Sequence, residues 1–574
     1  MDVLHMPADR VLDCTRFGGV TDEPHEGVGC FRRAHNLSSR CHPHLSSPAA
    51  RYRIGTLPSG RIYPFAAEKL GYMTSTGRLY YDGDLVQGWS FTDTSADSHS
   101  IVMLGKRAVF FPEKAWFDTE SGECGSLGIS KSSSSAVVSI DFDDGVAPAD
   151  YFYTLAEPTD PKNNTLWVRK DYSDDSFVCY RWYSATDEWV RQERLLYRVA
   201  FDFAGDGVNE GDRLEVTECA SEETGFEGFL GMHRVRSATS GLIEFESTPE
   251  RKLLPRICRD VSHNILLKCF TAERRVPDLC LVGVAGERIW GVDADGSTIR
   301  ACAPGDPFSW FSFDGYGGDS FMLATSYPGR YTGIGCLDDM PVLFKSDRII
   351  RLKGSRPDNF SLLSSAVPGL EEGCGEGVCS DGRALYYKGA GGVYRYDSGL
   401  PELLFRLDAG EVKAACDGRF CYFAGDGGFA VYDTKNKVLC TEDGGAESIF
   451  CHGGSVWYIS SDGENELFRI GEGEGSGERM PERPFVLESS HFPPSEVFGA
   501  CPRSLAFDIE SDGKSDVCLE FSWGGEFEHI AAICFEGRLR SEIMLPHRKC
   551  SVCAYRISGT GPFILREAAL FTPK

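Results

Sequence analysis

The chain has 574 residues, of which 85 are Asp or Glu and 59 Lys or Arg, a formal net charge of -26. That balance excludes a nucleic-acid-gripping surface, which needs clustered Lys and Arg, although an acidic wall would let DNA pass without sticking. With 64 glycines, 12% aromatic residues and little helical periodicity, the sequence predicts an all-β chain of several domains, or one large domain with insertions.

The 22 cysteines are spread singly along the chain, as small buried hydrophobes in a reducing compartment would be. The first residues carry neither a basic segment nor an apolar one, and no run of eighteen apolar residues occurs. The expectation is synthesis in the cytoplasm without membrane insertion.

In chain order, residues 1–60 are rich in Pro, Ser and His and predict an extended N-terminal arm, free to wrap a neighbouring subunit. Strand patterns begin near residue 61. A "Gly-Arg/Lys-x-aromatic-aromatic" motif occurs at 77–81, 105–111, 382–387 and 418–423, with a looser copy at 454–459. Tyr386, Tyr422 and Tyr458 are spaced by thirty-six residues twice over, and each is followed by a second strand. Such a period, with several short strands per unit, is the signature of propeller blades. We therefore read about seven blades, the first over 61–129 and the remainder over 266–470. The inserted β-domain, a barrel or sandwich, spans 130–265. An acidic Gly-rich linker follows at 471–484, and residues 485–574 alternate as a C-terminal β-sandwich.

The most ordered stretch is 274–363, a strand meander broken by Gly, Asp and Pro. Arg288, Trp290 and Gly291 lie in one strand of a hairpin turned by Asp295-Gly296. Gly305, Asp306, Pro307 and Trp310 form a fixed loop with docking aromatics. Phe344 and Lys345 hold the place of Trp290 in the next unit, followed by Gly354, Pro357, Asn359 and Phe360. All thirteen are read as structural residues.

These residues also carry a resemblance. The segments RIWG (288–291), TIRACAPGDPFSW (298–310), FDG (313–315), YTGIGCLDDMPVLFKSDRIIRLKG (331–354) and RPDNF (356–360) resemble, in order, a run in virion proteins of tailed phages and prophages. Phe17-Gly18-Gly19, Asn36-Leu37-Ser38 and the C-terminal Tyr555-Arg556-Ile557-Ser558-Gly559 resemble the two ends of the same proteins. The chain is more distantly similar to the tail nozzle (tail tubular protein B) family, which combines a propeller with an inserted β-domain. The resemblance implies a structural part of the virion tail or tail connector, synthesised in the bacterial cytoplasm, located in the virion and acting in assembly and the DNA-ejection conduit. Its implied partners are other virion proteins and further copies in a homo-oligomeric ring, with no specific nucleic-acid binding.

A search for chemistry predicts no catalytic residue, metal or cofactor. Cys550-Ser551-Val552-Cys553 is a single C-x-x-C without a second pair. No G-x-S-x-G occurs, and the Gly-rich segments lack the Lys of a phosphate loop. The expectation is therefore a non-enzymatic protein. The alternative reading is a propeller that binds a host-surface glycan or receptor, and a third is a glycosidase built from carboxylates on distant blades.

Overall fold

The computed structural model describes residues 10–20, 30–94, 96, 98–172, 177–221, 229–246, 264–471, 477–492 and 501–572. Most of the expected linker's Gly/Glu run (472–476) lies outside them. The fold is all-β, and no α-helix occurs among the described residues.

Its main body is a β-propeller. Sheets 1 (Ile62–Leu85), 2 (Ser100–Ser126), 3 (Leu279–Ala324), 4 (Gly333–Ser365) and 5 (Val378–Arg406) are each four-stranded antiparallel meanders. Sheet 6 (Lys413–Glu442) has the same four strands but continues into a wider sheet. Sheet 7 is assembled from Ala446–His452, Ser455–Ser460 and Glu466–Ile470, with Arg51–Thr56 of the arm as its fourth strand. The first strand of each sheet lies against the first strand of the next, and that of sheet 7 returns to sheet 1.

The thirty-six-residue spacing has a physical origin in this ring. Tyr386, Tyr422 and Tyr458 sit on the second strands of sheets 5, 6 and 7, each buried against a neighbouring sheet. In sheet 1, by contrast, the Leu79-Tyr80-Tyr81 copy forms the third strand, because Leu70–Thr74 occupies the second.

The arm departs from the expectation of a free extension. Arg10–Cys14 pairs with the last strand, Ile564–Thr572; Cys30–His35 pairs with Phe485–Ser489; Leu45–Ser46 pairs with Ile564 and Leu565. Phe17, Phe31, Leu37 and Leu45 supply the reason. All four are buried in one core with Leu505, Phe521, Tyr555 and Leu570, so the arm's few large apolar groups leave water on their own chain. Phe485–Ser489 and the strands of 504–572 thus share a sheet with the other end of the chain, and parallel pairing of His35 with Thr441 joins that sheet to sheet 6.

Within this sheet, Asp508 is buried and takes charged hydrogen bonds from Arg538 (2.6 Å) and Arg540 (2.7 Å) on the adjacent long strand. The bond from Arg538, aided by Arg540 and opposed by burial, lowers its carboxyl from the ordinary 3.8 to about 2. A depressed carboxyl stabilises the fold above its unfolded value, and that contribution is lost as pH falls from 3.8 towards 2. Because both arginines are solvent-exposed, we expect a loss on the order of 1 kcal/mol in urea unfolding between pH 5 and pH 2.5. Asp508→Asn should abolish this increment and leave the remaining acid sensitivity.

The insertion runs from 129 to 274, slightly beyond the expected 130–265. Its larger sheet has the strand order 129–133, 265–274, 136–142, 195–200, 242–246, 231–239, 213–221, and the last pairs back onto 265–274 so that the sheet closes on itself. Between 142 and 195 the chain builds a second sheet from Asp150–Tyr153, Thr165–Lys170, Phe177–Tyr183 and Glu188–Arg191. One face of it, with Tyr151, Leu166, Val168 and Cys179, packs into the core of the closed sheet.

Candidate functional site

The thirteen residues singled out in the sequence do not converge on a pocket. The buried Arg288 guanidinium donates to the carbonyls of Cys302 (2.8 Å), Gly317 (3.1 Å) and Asp319 (2.5 Å), stapling the long loop 302–320 to its sheet. Trp290 packs on Phe321 and Phe360 between sheets 3 and 4, and its Nε1 donates to Ala285. Gly291 has no room for a side chain, since a Cβ there would lie 2.6 Å from Leu279.

Gly305 takes a left-handed turn. Asp306 accepts from the backbone of Phe308, and burial raises its carboxyl pKa. The Pro307 carbonyl accepts from Trp310, which is buried between sheets 2 and 3. Phe344 packs against Tyr387 of sheet 5 with the two rings tilted. Lys345 is buried, its ammonium donating to the carbonyls of Tyr327, Pro328 and Gly329 above the Tyr331 ring. Burial lowers its pKa. Gly354 has φ 132°, and Asn359, just after the half-buried Pro357, caps the backbone of Ser355 and Arg356.

Ionisable groups do converge at one end of the ring, where the first strands begin. Arg61 of sheet 1 lies 3.8 Å from Glu376 of sheet 5, a contact across the axis between sheets that are not neighbours. Lys413 approaches Glu376 at 3.9 Å and Glu411 at 3.6 Å, and donates to the carbonyl of Glu447. Beside them Tyr63 meets His99 edge-on, and His99 is hydrogen-bonded to Glu113 in an enclosed pair. Burial, with Glu376, Glu113 and Glu447 adding to it and Arg61 opposing, raises the Tyr63 hydroxyl. Cations and carboxylates thus pair across the axis, bridging this mouth. No cluster suited to a metal ion occurs among the described residues.

The second candidate lies on the insertion, on the face of the 150–191 sheet turned away from the core. Antiparallel register places Trp167 opposite Tyr180 and Trp182 opposite Trp189, and alternation puts all four on that face. Trp167 stacks on Tyr180 at 5.1 Å, and Trp189 touches Trp167 at 5.4 Å and Trp182 at 5.2 Å.

A cleft of 570 Å³ opens at the Trp182–Trp189 end, its other wall made by residues 157–161. Its two lips are tied together. Ser184 N–H donates to Asn163 Oδ1 (3.0 Å), Asn164 N–H donates to the Trp182 carbonyl (2.9 Å), and the buried Arg181 holds Asn164 Oδ1 and Asp144. Asp160, Asn164 and Asp187 occupy the left-handed turn positions that suit Asp and Asn. Flat aromatic surface beside preset polar groups can stack an apolar ring face and hydrogen-bond its hydroxyls. Sequence analysis placed this region in the inserted β-domain without reading the face, although alternate aromatics at 180 and 182 were a signal for it.

No protein-family model and no curated protein matches the chain. Solved structures similar to it include an exo-β-1,3-galactanase from Phanerochaete chrysosporium with galactose, 9% identical, covering 74% of this chain and 97% of that one, with a TM-score of 0.18. A glycoside hydrolase family 43 arabinoxylan arabinofuranohydrolase from Bacillus subtilis is 11% identical over 66% and 93%, TM-score 0.16. The extracellular domain of a putative hybrid two component system from B. thetaiotaomicron is 10% identical over 95% and 97%, TM-score 0.21. Two of the three are glycoside hydrolases, which corrects the expectation that the chain is not an enzyme. At these identities and scores the likenesses assign no chemistry to it.

Proposed function

We propose that this protein is a β-propeller component of a tailed-phage or prophage particle that engages a glycan or receptor on the host surface. In this reading the seven sheets are its blades, the closed sheet of the insertion is a barrel, and the 150–191 sheet standing on that barrel is the contact surface. The observation that carries the binding role is the outward aromatic face ending in the Trp182–Trp189 cleft. The particle assignment is supported by the runs at 288–291, 298–310 and 331–360 that resemble virion proteins.

Further copies and other virion proteins are the structural partners in this proposal, at the tail or its connector. A conduit for DNA would lie between copies, because Arg61 and Glu376 bridge the axis of the single ring.

Two measurements test the reading. Immunogold labelling of particles released after prophage induction is expected to mark the tail or neck, and unlabelled particles with the protein left in the cells would refute the virion role. The purified chain is expected to bind host cells or a glycan array in a manner weakened by Trp182→Ala, and an unchanged variant would refute the binding role of this face.

A further inference from the structure

We infer that the Trp182–Trp189 cleft takes a neutral pyranose segment of a glycan and rejects anionic sugars. The inference rests on the glycan-binding reading and names its ligand class.

The geometry suits a sugar ring. Trp182 and Trp189 are directly opposed across two strands and half-buried, so each keeps ring surface open to the cleft. The C–H face of a pyranose is apolar and flat enough to stack on such a ring, while its hydroxyls project sideways and need polar partners. Trp189 Nε1 is a buried donor with no acceptor among the described residues, an arrangement that costs free energy unless an oxygen from outside them supplies the missing bond. Ser184 and the carboxylates of Asp160 and Asp187 stand at the rim to meet hydroxyls. At 570 Å³ the space is within the range of small-ligand sites, about 300–1,000 Å³.

Charge decides the class. Glu157, Asp160 and Asp187 line the cleft and no lysine or arginine does. A carboxylate or phosphate on the sugar would enter beside like charges with no cation in the cleft lining, Arg169 lying farther along the face over Trp167 and Tyr180, and the overall charge of -26 adds long-range repulsion. A neutral ring meets only hydrogen-bond acceptors. The lips are also fixed in advance by the Ser184–Asn163 and Asn164–Trp182 bonds, so binding need not order a loop.

The test uses the full chain on an array of neutral oligosaccharides (galactosyl, glucosyl and mannosyl) together with sialylated and uronate-bearing ones, followed by titration calorimetry on the best ligand. Hits among neutral glycans are expected, weakened at least tenfold by Trp182→Ala and severalfold by Trp189→Phe, which keeps an apolar ring but removes the N–H. Melting temperatures near that of the parent would show that both variants fold. Hits confined to anionic glycans would overturn the ligand class while leaving the glycan-binding reading intact. Neutral hits indifferent to both substitutions would overturn the site. Absence of any hit would overturn the reading and the inference together.

Discussion

A chain that begins at Leu57 is expected to lose cooperative folding. Without Arg51–Thr56, sheet 7 keeps three strands and exposes the outer edge of Glu466–Ile470. Arg51 also vanishes, leaving Glu442 buried without the guanidinium now at 2.7 Å, and stranding one member of a buried pair typically costs about 3–5 kcal/mol. At the same time Phe17, Phe31, Leu37 and Leu45 leave the C-terminal core. Full burial of such a side chain contributes roughly 1.5–3 kcal/mol, so the four together approach the whole stability of a typical domain. The expected result is aggregated protein, or a broad non-cooperative melt by calorimetry. A sharp transition near that of the full chain would show that the ring closes without its borrowed strand. Adding the missing segment as a separate peptide should restore part of the transition by supplying the absent strand and the Arg51 partner of Glu442.

The second large effect is expected at Arg288. Its guanidinium serves three carbonyls at once, and burial lowers its pKa. Arg288→Leu removes the charge but strands the buried carbonyls of Cys302 and Asp319, each worth about 1–3 kcal/mol when unpaired, so a loss of about 3 kcal/mol in urea unfolding is expected. Arg288→Lys should rescue little, because an ammonium lacks the planar fork that spans these acceptors. Loosening should concentrate in 302–320, read as faster amide exchange there with the other sheets still protected. A uniform rise in exchange across the ring would contradict the staple role.

Repetition in the chain was the most legible feature. Tyr386, Tyr422 and Tyr458 recur because each ring position demands the same buried second strand, and periodic demand leaves a periodic trace. The arm left none. Its strands are short, polar and paired with residues hundreds of positions away, as Arg10 with Thr572 and Arg51 with Ile470, so local composition reads as coil where distant partners impose extension. The aromatic face was half legible: alternation ranks Tyr180 with Trp182, but only the register that sets Trp167 against Tyr180 and Trp182 against Trp189 gathers the four rings. The bridged mouth was not legible at all. Arg61 and Glu376 stand more than three hundred residues apart and meet only because the ring closes.

The point where the insertion leaves the ring bears on how the insertion could be exchanged as a unit. Ile129 pairs directly with Arg274, and Arg274 reaches back to the Leu127 carbonyl at 2.8 Å. Outgoing and returning chains therefore pass through one doorway between sheets 2 and 3. Everything beyond it, the aromatic cleft included, is a cassette: exchanging the segment between residues 129 and 274 would replace both sheets of the insertion while the ring keeps every strand it needs to close.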